Sequence, residues 1–467
     1  MEKSLKAGRM QLLSLLTCCL ISISCRGQRS GTVANSKAGE TAIINIPTHP
    51  LNSERDLDVL LNEIGDARVV MLGEATHGTA EFYTWRAAIS RRLIQEKGFD
   101  FIAVEGEWAD SYRINNFIKG QKRDSLGALA LLGQFNRWPT WMWGNYEIAS
   151  LVTWLNAYNQ RLDSANKVGY FGLDVYCLWE SMAELMPYLQ GRDASLMKMA
   201  MRVNTCFQPY GADAEQYARA VSNSSRDCRR ETSRLWNGIR KLASGMNLKD
   251  EALFVMEQNA LVALNAERYY RAMVSTRESS WNIRDRHMME TLRRLLQLHG
   301  PNSKAIVWEH NTHVGDARFT DMAQAGEFNI GQLARQELGE SQVFIVGTGI
   351  HRGTVTAADR WGDPYKTMTM PEARAGSWEE MLHAKTKGGN CLVLSRELKA
   401  NNQLEEAIGH RAVGVVYRPR YETGNYVPSL IPRRYDAFMF IDRTNALRPI
   451  PIPLKANEPP DLYPSGS

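Results

Sequence analysis

The sequence predicts an α/β fold: a mostly parallel sheet covered by helices, with a large helical insertion or subdomain. Three observations lead there. Short apolar runs alternate with helical stretches from residue 51 to 178. Strand signals then vanish from about 179 to 299 and return after 301. Strands separated by helices need crossover connections, and crossovers make neighbouring strands parallel.

The elements follow in order. Arg68–Gly73 is an apolar run ending in glycine, the pattern of a buried strand. Residues 79–97 carry helical periodicity and stop before Gly98. Phe99–Val104 is a second strand, followed by a helix to about Ile118. Asn145–Leu162 reads as a helix with Trp154 and Leu155 inward. Val168–Leu173 is a third strand, ending at Asp174. Long amphipathic stretches follow, Glu251–Leu298 among them. Further strands are expected at Lys304–Trp308, Gln342–Val346, Cys391–Leu394, Ala412–Tyr417 and Ala437–Ile441. The chain then divides into a leader (1–25), a tether (26–50) and the first part of an α/β catalytic domain (51–178). A helical subdomain (179–300), the second part of the catalytic domain (301–455) and a tail (456–467) complete it.

The leader has Lys3, Lys6 and Arg9 ahead of an apolar stretch from Met10 to Ile23, then Cys25. That is a secretory pattern, too short to span a membrane as a helix. It predicts an exported, periplasmic protein, with Cys25 either lipid-anchored or removed with a cleaved signal. Four cysteines remain: Cys206 and Cys228 could pair after export, and Cys177 and Cys391 sit in apolar contexts that suit buried thiols. The composition, 44% hydrophobic and 23% charged, is that of a globular protein. A net charge of +5 is spread without a basic stripe, so no nucleic-acid partner is expected.

In open α/β sheets, ligands bind beyond the carboxyl ends of the strands. Four polar clusters fall there: Glu74-Ala75-Thr76-His77-Gly78, Glu105-Gly106-Glu107-Trp108, Asp174, and Glu309-His310-Asn311-Thr312-His313. Any one of these residues could simply cap a helix. Four strand ends together suggest one crevice. Arg86, on the helix after His77, could reach a carboxylate such as Glu105.

The sequence has no Gly-x-Ser-x-Gly elbow, which argues against a serine hydrolase of that type. It has no Walker A motif and no Gly-x-Gly-x-x-Gly, so no nucleotide cofactor is expected. A histidine beside carboxylates remains, and it suits general-base activation of water. A metal is the competing reading. His77, His310 and His313 with Glu74 or Glu105 could supply the three or four ligands of zinc, although His-Glu-x-x-His is absent. A ligand-binding lipoprotein without turnover is a third reading. Trp138, Trp141 and Trp143, near Arg137 and Asn145, could wall a cleft for a bulky ligand, as could Trp108. They could equally pack helices onto the sheet.

These motifs, in this order, resemble the erythromycin esterase family. The resemblance rests on Gly73–Gly78, Glu81-Phe82, Arg86, Glu105–Trp108, Trp308–Val314, Asn329–Gln332, Gly414–Pro419 and Asn425–Pro428. It implies hydrolysis of a macrolactone ester by water, without a covalent acyl-enzyme or a required metal. By motif position, His77 resembles the general base, with Glu74 and Arg86 ordering it. Glu105 and His310 resemble a second essential carboxylate and histidine, and His313 a supporting residue. Glu309 stands where the macrolide-resistance esterases carry a small residue. The implied partner is a small-molecule ester, with membrane contact only through the N-terminal lipid.

Overall fold

The buried apolar runs of the sequence form the middle of one sheet. The computed structural model describes residues 46–452, apart from 122–126, 223–225, 245–249, 276–277 and 400–403. The expected leader with Cys25, nearly all of the tether, and the tail lie outside the described residues. All described residues belong to the unit that begins at Asn45.

The strands in chain order are β1 (His49–Pro50), β2 (Val69–Leu72), β3 (Phe101–Glu107), β4 (Gly169–Asp174), β5 (Ala305–Trp308) and β6 (Val343–Ala357). There follow β7 (Lys366–Met370), β8 (Cys391–Leu394), β9 (Ile408–Arg411), β10 (Tyr426–Ser429) and β11 (Ala437–Thr444). The main sheet runs β1-β8-β11-β6-β2-β5-β3-β4, with β7 added to β6. From β11 to β4 every neighbour is parallel, and the β1, β7 and β8 pairings are antiparallel. β9 and β10 form a separate ribbon.

All four side chains of β2 are buried. Burying a branched apolar side chain is worth roughly 1.5–3 kcal/mol, so packing rather than length holds this short strand. Burial on both faces is what a parallel sheet covered by crossover helices requires. The early helices are α1 (Asp58–Ile64), α2 (Ala80–Lys97), α3 (Trp108–Ile118), α4 (Gly127–Leu132) and α5 (Tyr146–Asn159). Asn145 caps α5, its side-chain oxygen accepting from the Ile148 amide at 2.7 Å. Leu155 faces inward and Trp154 is half-buried.

Residues 178–299 contribute α6 (Leu178–Leu189), α7 (Ala194–Phe207), α8 (Ala214–Ser222), α9 (Arg229–Ala243), α10 (Glu251–Ala272) and α11 (Ser280–His299). Their apolar faces form a second core around Leu185, Val203, Phe207, Leu235, Ile239 and Tyr269. A Cys206–Cys228 disulfide joins the end of α7 to the start of α9. Cys177 and Cys391 are buried thiols. The remaining helices are α12 (Asn311–Val314), α13 (Ile330–Leu338), α14 (Trp378–Thr386), α15 (Ser395–Leu398) and α16 (Ile431–Arg434).

Two expectations need correction. Ala412–Tyr417 is not a strand. Val413 and Val416 make only isolated bridges to Thr76 and Ala358, and the Val413 amide donates to the Ala75 carbonyl at 2.8 Å. Its apolar side chains are buried by crossing the sheet's end, and a loop serves as its hydrogen-bond partner. β6, by contrast, continues eleven residues beyond Val346. Gly349 interrupts the apolar pattern there because a Cβ would lie 2.6 Å from the Phe438 ring.

Candidate active site

The apolar runs of β2, β3 and β5 end level, while β6 continues past them. Leu72 pairs with both Trp308 and Val346, and Val104 pairs with Trp308. Glu74, Glu105 and Glu309 therefore leave the sheet side by side. Gly73 lets the loops after β2 and β5 touch: a Cβ there would sit 2.2 Å from Asn311 Oδ1. The Asn311 amide then donates to the Glu74 carbonyl at 2.9 Å.

Glu74 holds two partners. Its Oε1 is 2.9 Å from His77 Nδ1, and its Oε2 accepts from Arg86 Nη2 at 2.6 Å. Arg86 thus serves Glu74, not Glu105. Its guanidinium lies over the rings of Tyr83 and Trp308, 4.6 Å from each. Such stacking suits arginine's flat, weakly hydrated cation, which is buried here. The carboxylate fixes the His77 tautomer with the proton on Nδ1. Nε2 is then left as an acceptor, and His77 lines the main cleft.

Glu105 is tied down differently. Its Oε2 accepts from the His310 amide at 2.8 Å, and its Oε1 from Arg284 Nη2 at 2.9 Å. Arg284 also grips Asp174, with Nε to Oδ1 at 2.9 Å and Nη2 to Oδ2 at 2.5 Å. Burial would raise the Glu105 pKa, but His313 and Arg284 overcome it and hold the carboxyl well below its usual range.

His310 places Nδ1 2.8 Å from Thr312 Oγ1, and Nδ1 accepts the Thr312 amide at 3.3 Å. An accepting Nδ1 puts the ring proton on Nε2, a buried atom that makes no well-aligned hydrogen bond among the described residues and has the Ala75 backbone as a weak partner. Burial, reinforced by His77, pushes the His310 pKa well below the ordinary imidazole value. The two rings lie 4.8 Å apart. One cleft thus receives an acceptor nitrogen from His77 and a donor N–H from His310.

His313 is set deeper. Nδ1 is 3.0 Å from both Asp285 oxygens, and Nε2 is 3.3 Å from Glu105 Oε1. Burial lowers its pKa, but Asp285 and Glu105 outweigh that and push it up to about 10. Arg284 Nη1, 2.7 Å from Nε2, opposes the charge without cancelling the carboxylates of Asp285 and Glu105. Glu309 lies in this buried cluster, and neither of its oxygens is hydrogen-bonded among the described residues. Burial raises its pKa well above the ordinary carboxyl value.

His313 predicts a pH dependence of stability. Below an ordinary imidazole pKa of 6.5, folded and unfolded chains both carry this proton, and its pairing contributes fully. As pH rises toward about 10 the unfolded chain has already lost it, so the contribution fades and ends above the folded pKa. Urea midpoints are expected to fall across this window, and His313→Gln should flatten that slope. Equal slopes in the two proteins would contradict the assignment.

The cleft has a volume of about 520 Å³. His77, Glu105, Asp174, Arg284, His310 and His313 all line it. Trp138 and Trp143 line it too, each indole N–H held by a backbone carbonyl, of Asp363 at 2.9 Å and Glu105 at 3.0 Å. Two expected wall residues lie elsewhere. Trp108 opens α3 and stacks on Tyr112 and Phe171, and Trp141 is buried edge-on behind Trp138. Both are fully buried packing residues. Among the described residues, no group of three or more His, Cys, Asp or Glu is arranged to hold a metal ion. The carboxylates that might ligate one are already occupied by Arg86 and Arg284.

A family model described as erythromycin esterase matches residues 94–444. The chain belongs to the erythromycin esterase family. Glu105, His310 and His313 fall inside that span, while Glu74, His77 and Arg86 precede it. Erythromycin esterase type II of Escherichia coli is 32% identical over 127 residues, 27% of this chain and 28% of the relative's own length. The putative hydrolase YbfO of Bacillus subtilis (strain 168) is 22% identical over 360 residues, 71% of this chain and 75% of its own. A mutant of the erythromycin esterase EreC, in its open conformation, shares the fold. Its TM-score is 0.61 at 18% identity, over 84% of this chain and 95% of that one.

Arg284, Asp285 and Trp281 were not among the residues the sequence singled out. Their signal was faint but present. Arg284 lies four residues before Met288 on the apolar stripe of α11, where a charge needs a buried partner.

Proposed function

We propose that this protein is an ester hydrolase in which His77 activates water without a metal. The arrangement of His77 carries the reading: Nδ1 bonded to a carboxylate that Arg86 anchors, Nε2 left for the cleft. Water attacks the ester carbonyl carbon as its proton passes to His77 Nε2. The tetrahedral oxyanion or the departing alkoxide takes a hydrogen bond from His310 Nε2–H. The C–O bond then breaks, the proton held on His77 Nε2 passes to the departing alkoxide and so frees the base again, and acid and alcohol leave. The two imidazole nitrogens that face the cleft fall short of the three or four ligands zinc needs, which favours this route over a metallohydrolase.

The aromatic cleft suits a bulky, largely apolar ester, and the family membership makes a macrolactone the first candidate. A panel of macrolides and simple esters, read by mass spectrometry, should show a gain of one water in at least one member. That turnover should survive exhaustive chelation. Loss of activity on chelation would favour the metal route, and unchanged ligand mass throughout would favour a binding protein.

A further inference from the structure

α11 presents Trp281, Arg284 and Asp285 on one face, at i, i+3 and i+4, and all three meet His313. The Trp281 ring is stacked on the imidazole, centroids 4.4 Å apart and planes 7° from parallel. The polar contacts of His313 lie near its ring plane, so they resist rotation within that plane far better than tilting out of it. A flat indole against the face opposes the tilt. Trp281 is itself fixed, because its Nε1 donates to the Phe328 carbonyl at 2.8 Å. Next to it, Asn282 bonds the Phe328 amide at 3.1 Å and the Gly326 carbonyl at 3.0 Å. Half-buried, Trp281 also lines the cleft, as do Met322 and Glu327 of the segment fastened in this way.

We infer that Trp281 is both the positioning residue for His313 and a wall that selects bulky esters. The inference rests on the esterase reading above. In Trp281→Ala, kcat should fall roughly two- to tenfold on small and bulky esters alike, the range expected from one lost aromatic stack. KM should rise for the bulky ester and stay near wild type for the small one. Trp281→Phe, which restores a flat ring, should recover most of kcat. Unfolding midpoints would confirm that both variants are folded. An unchanged kcat in Trp281→Ala, or failure of the Phe variant to recover it, would overturn the positioning role. Equal KM changes for both esters would overturn the selecting role.

A second readout separates this inference from the reaction. The His313 ring protons of histidine-labelled protein should be shifted upfield by the indole and move downfield in Trp281→Ala. Should wild type hydrolyse no ester, the esterase reading fails alone. The shifts then decide the placement, which is overturned if they do not move.

Discussion

His77→Ala is expected to lower turnover by about 10²–10⁴-fold, the usual contribution of a general base, with the fold intact. Both halves follow from the geometry. The imidazole is the acceptor that the cleft offers to water, so its loss leaves attack to unassisted water. Glu74 is not orphaned by the change, because Arg86 still holds its Oε2 at 2.6 Å. A buried carboxylate that keeps its cationic partner avoids the large penalty of an uncompensated charge. Steady-state rates with any ester found in the panel, beside urea unfolding of the same variant, measure the two effects. Glu74→Gln sharpens the test: an amide can hold His77 in the wrong tautomer, so turnover should fall although the base remains. Near-wild-type rates in His77→Ala would sink the assignment.

The site residues legible in the sequence were those that leave strands. β2, β3, β4 and β5 each contain a buried apolar run, so a polar residue within two positions of its end stands out, as Glu74, Glu105, Asp174 and His310 do. Residues that reach the site from a helix were harder to see. Arg284 and Asp285 sit among the many charges of α11, and exposed Arg286 looks no different in the sequence. Only the helix orientation shows that two of these charges face Glu105, Asp174 and His313. Trp108 failed for a related reason. It adjoins the Glu105 motif, but α3 starts at that residue and turns its ring onto Phe171. Ala412–Tyr417 reads as a strand because its apolar side chains are buried, yet burial by a neighbouring loop leaves the same pattern as burial in a sheet.

Arg284→Met should be the most destabilising single change at the site, costing about 3–5 kcal/mol, as expected when one member of a buried ion pair is removed. Arg284 touches Glu105, Asp174 and His313, and its own side chain is buried. Without it, two buried carboxylates in the cleft wall face each other with His313 as their nearest cation. Methionine fills similar space, so the cost reports charge rather than a cavity. Asp174→Asn in the same chain should recover part of the loss, because one of the unpaired charges then disappears. A double-mutant cycle on urea midpoints would show that coupling, and strictly additive changes would refute it. Activity should fall as well. Glu105 would lose a cation that holds its pKa low, and Glu105 is what fixes the His310 amide at 2.8 Å. A carboxyl that protonates more readily holds that amide less well, so the donor N–H of His310 drifts from the cleft position opposite His77. Turnover in Arg284→Met should therefore recover only in part when Asp174→Asn restores stability. Full recovery would mean that Arg284 serves the fold alone.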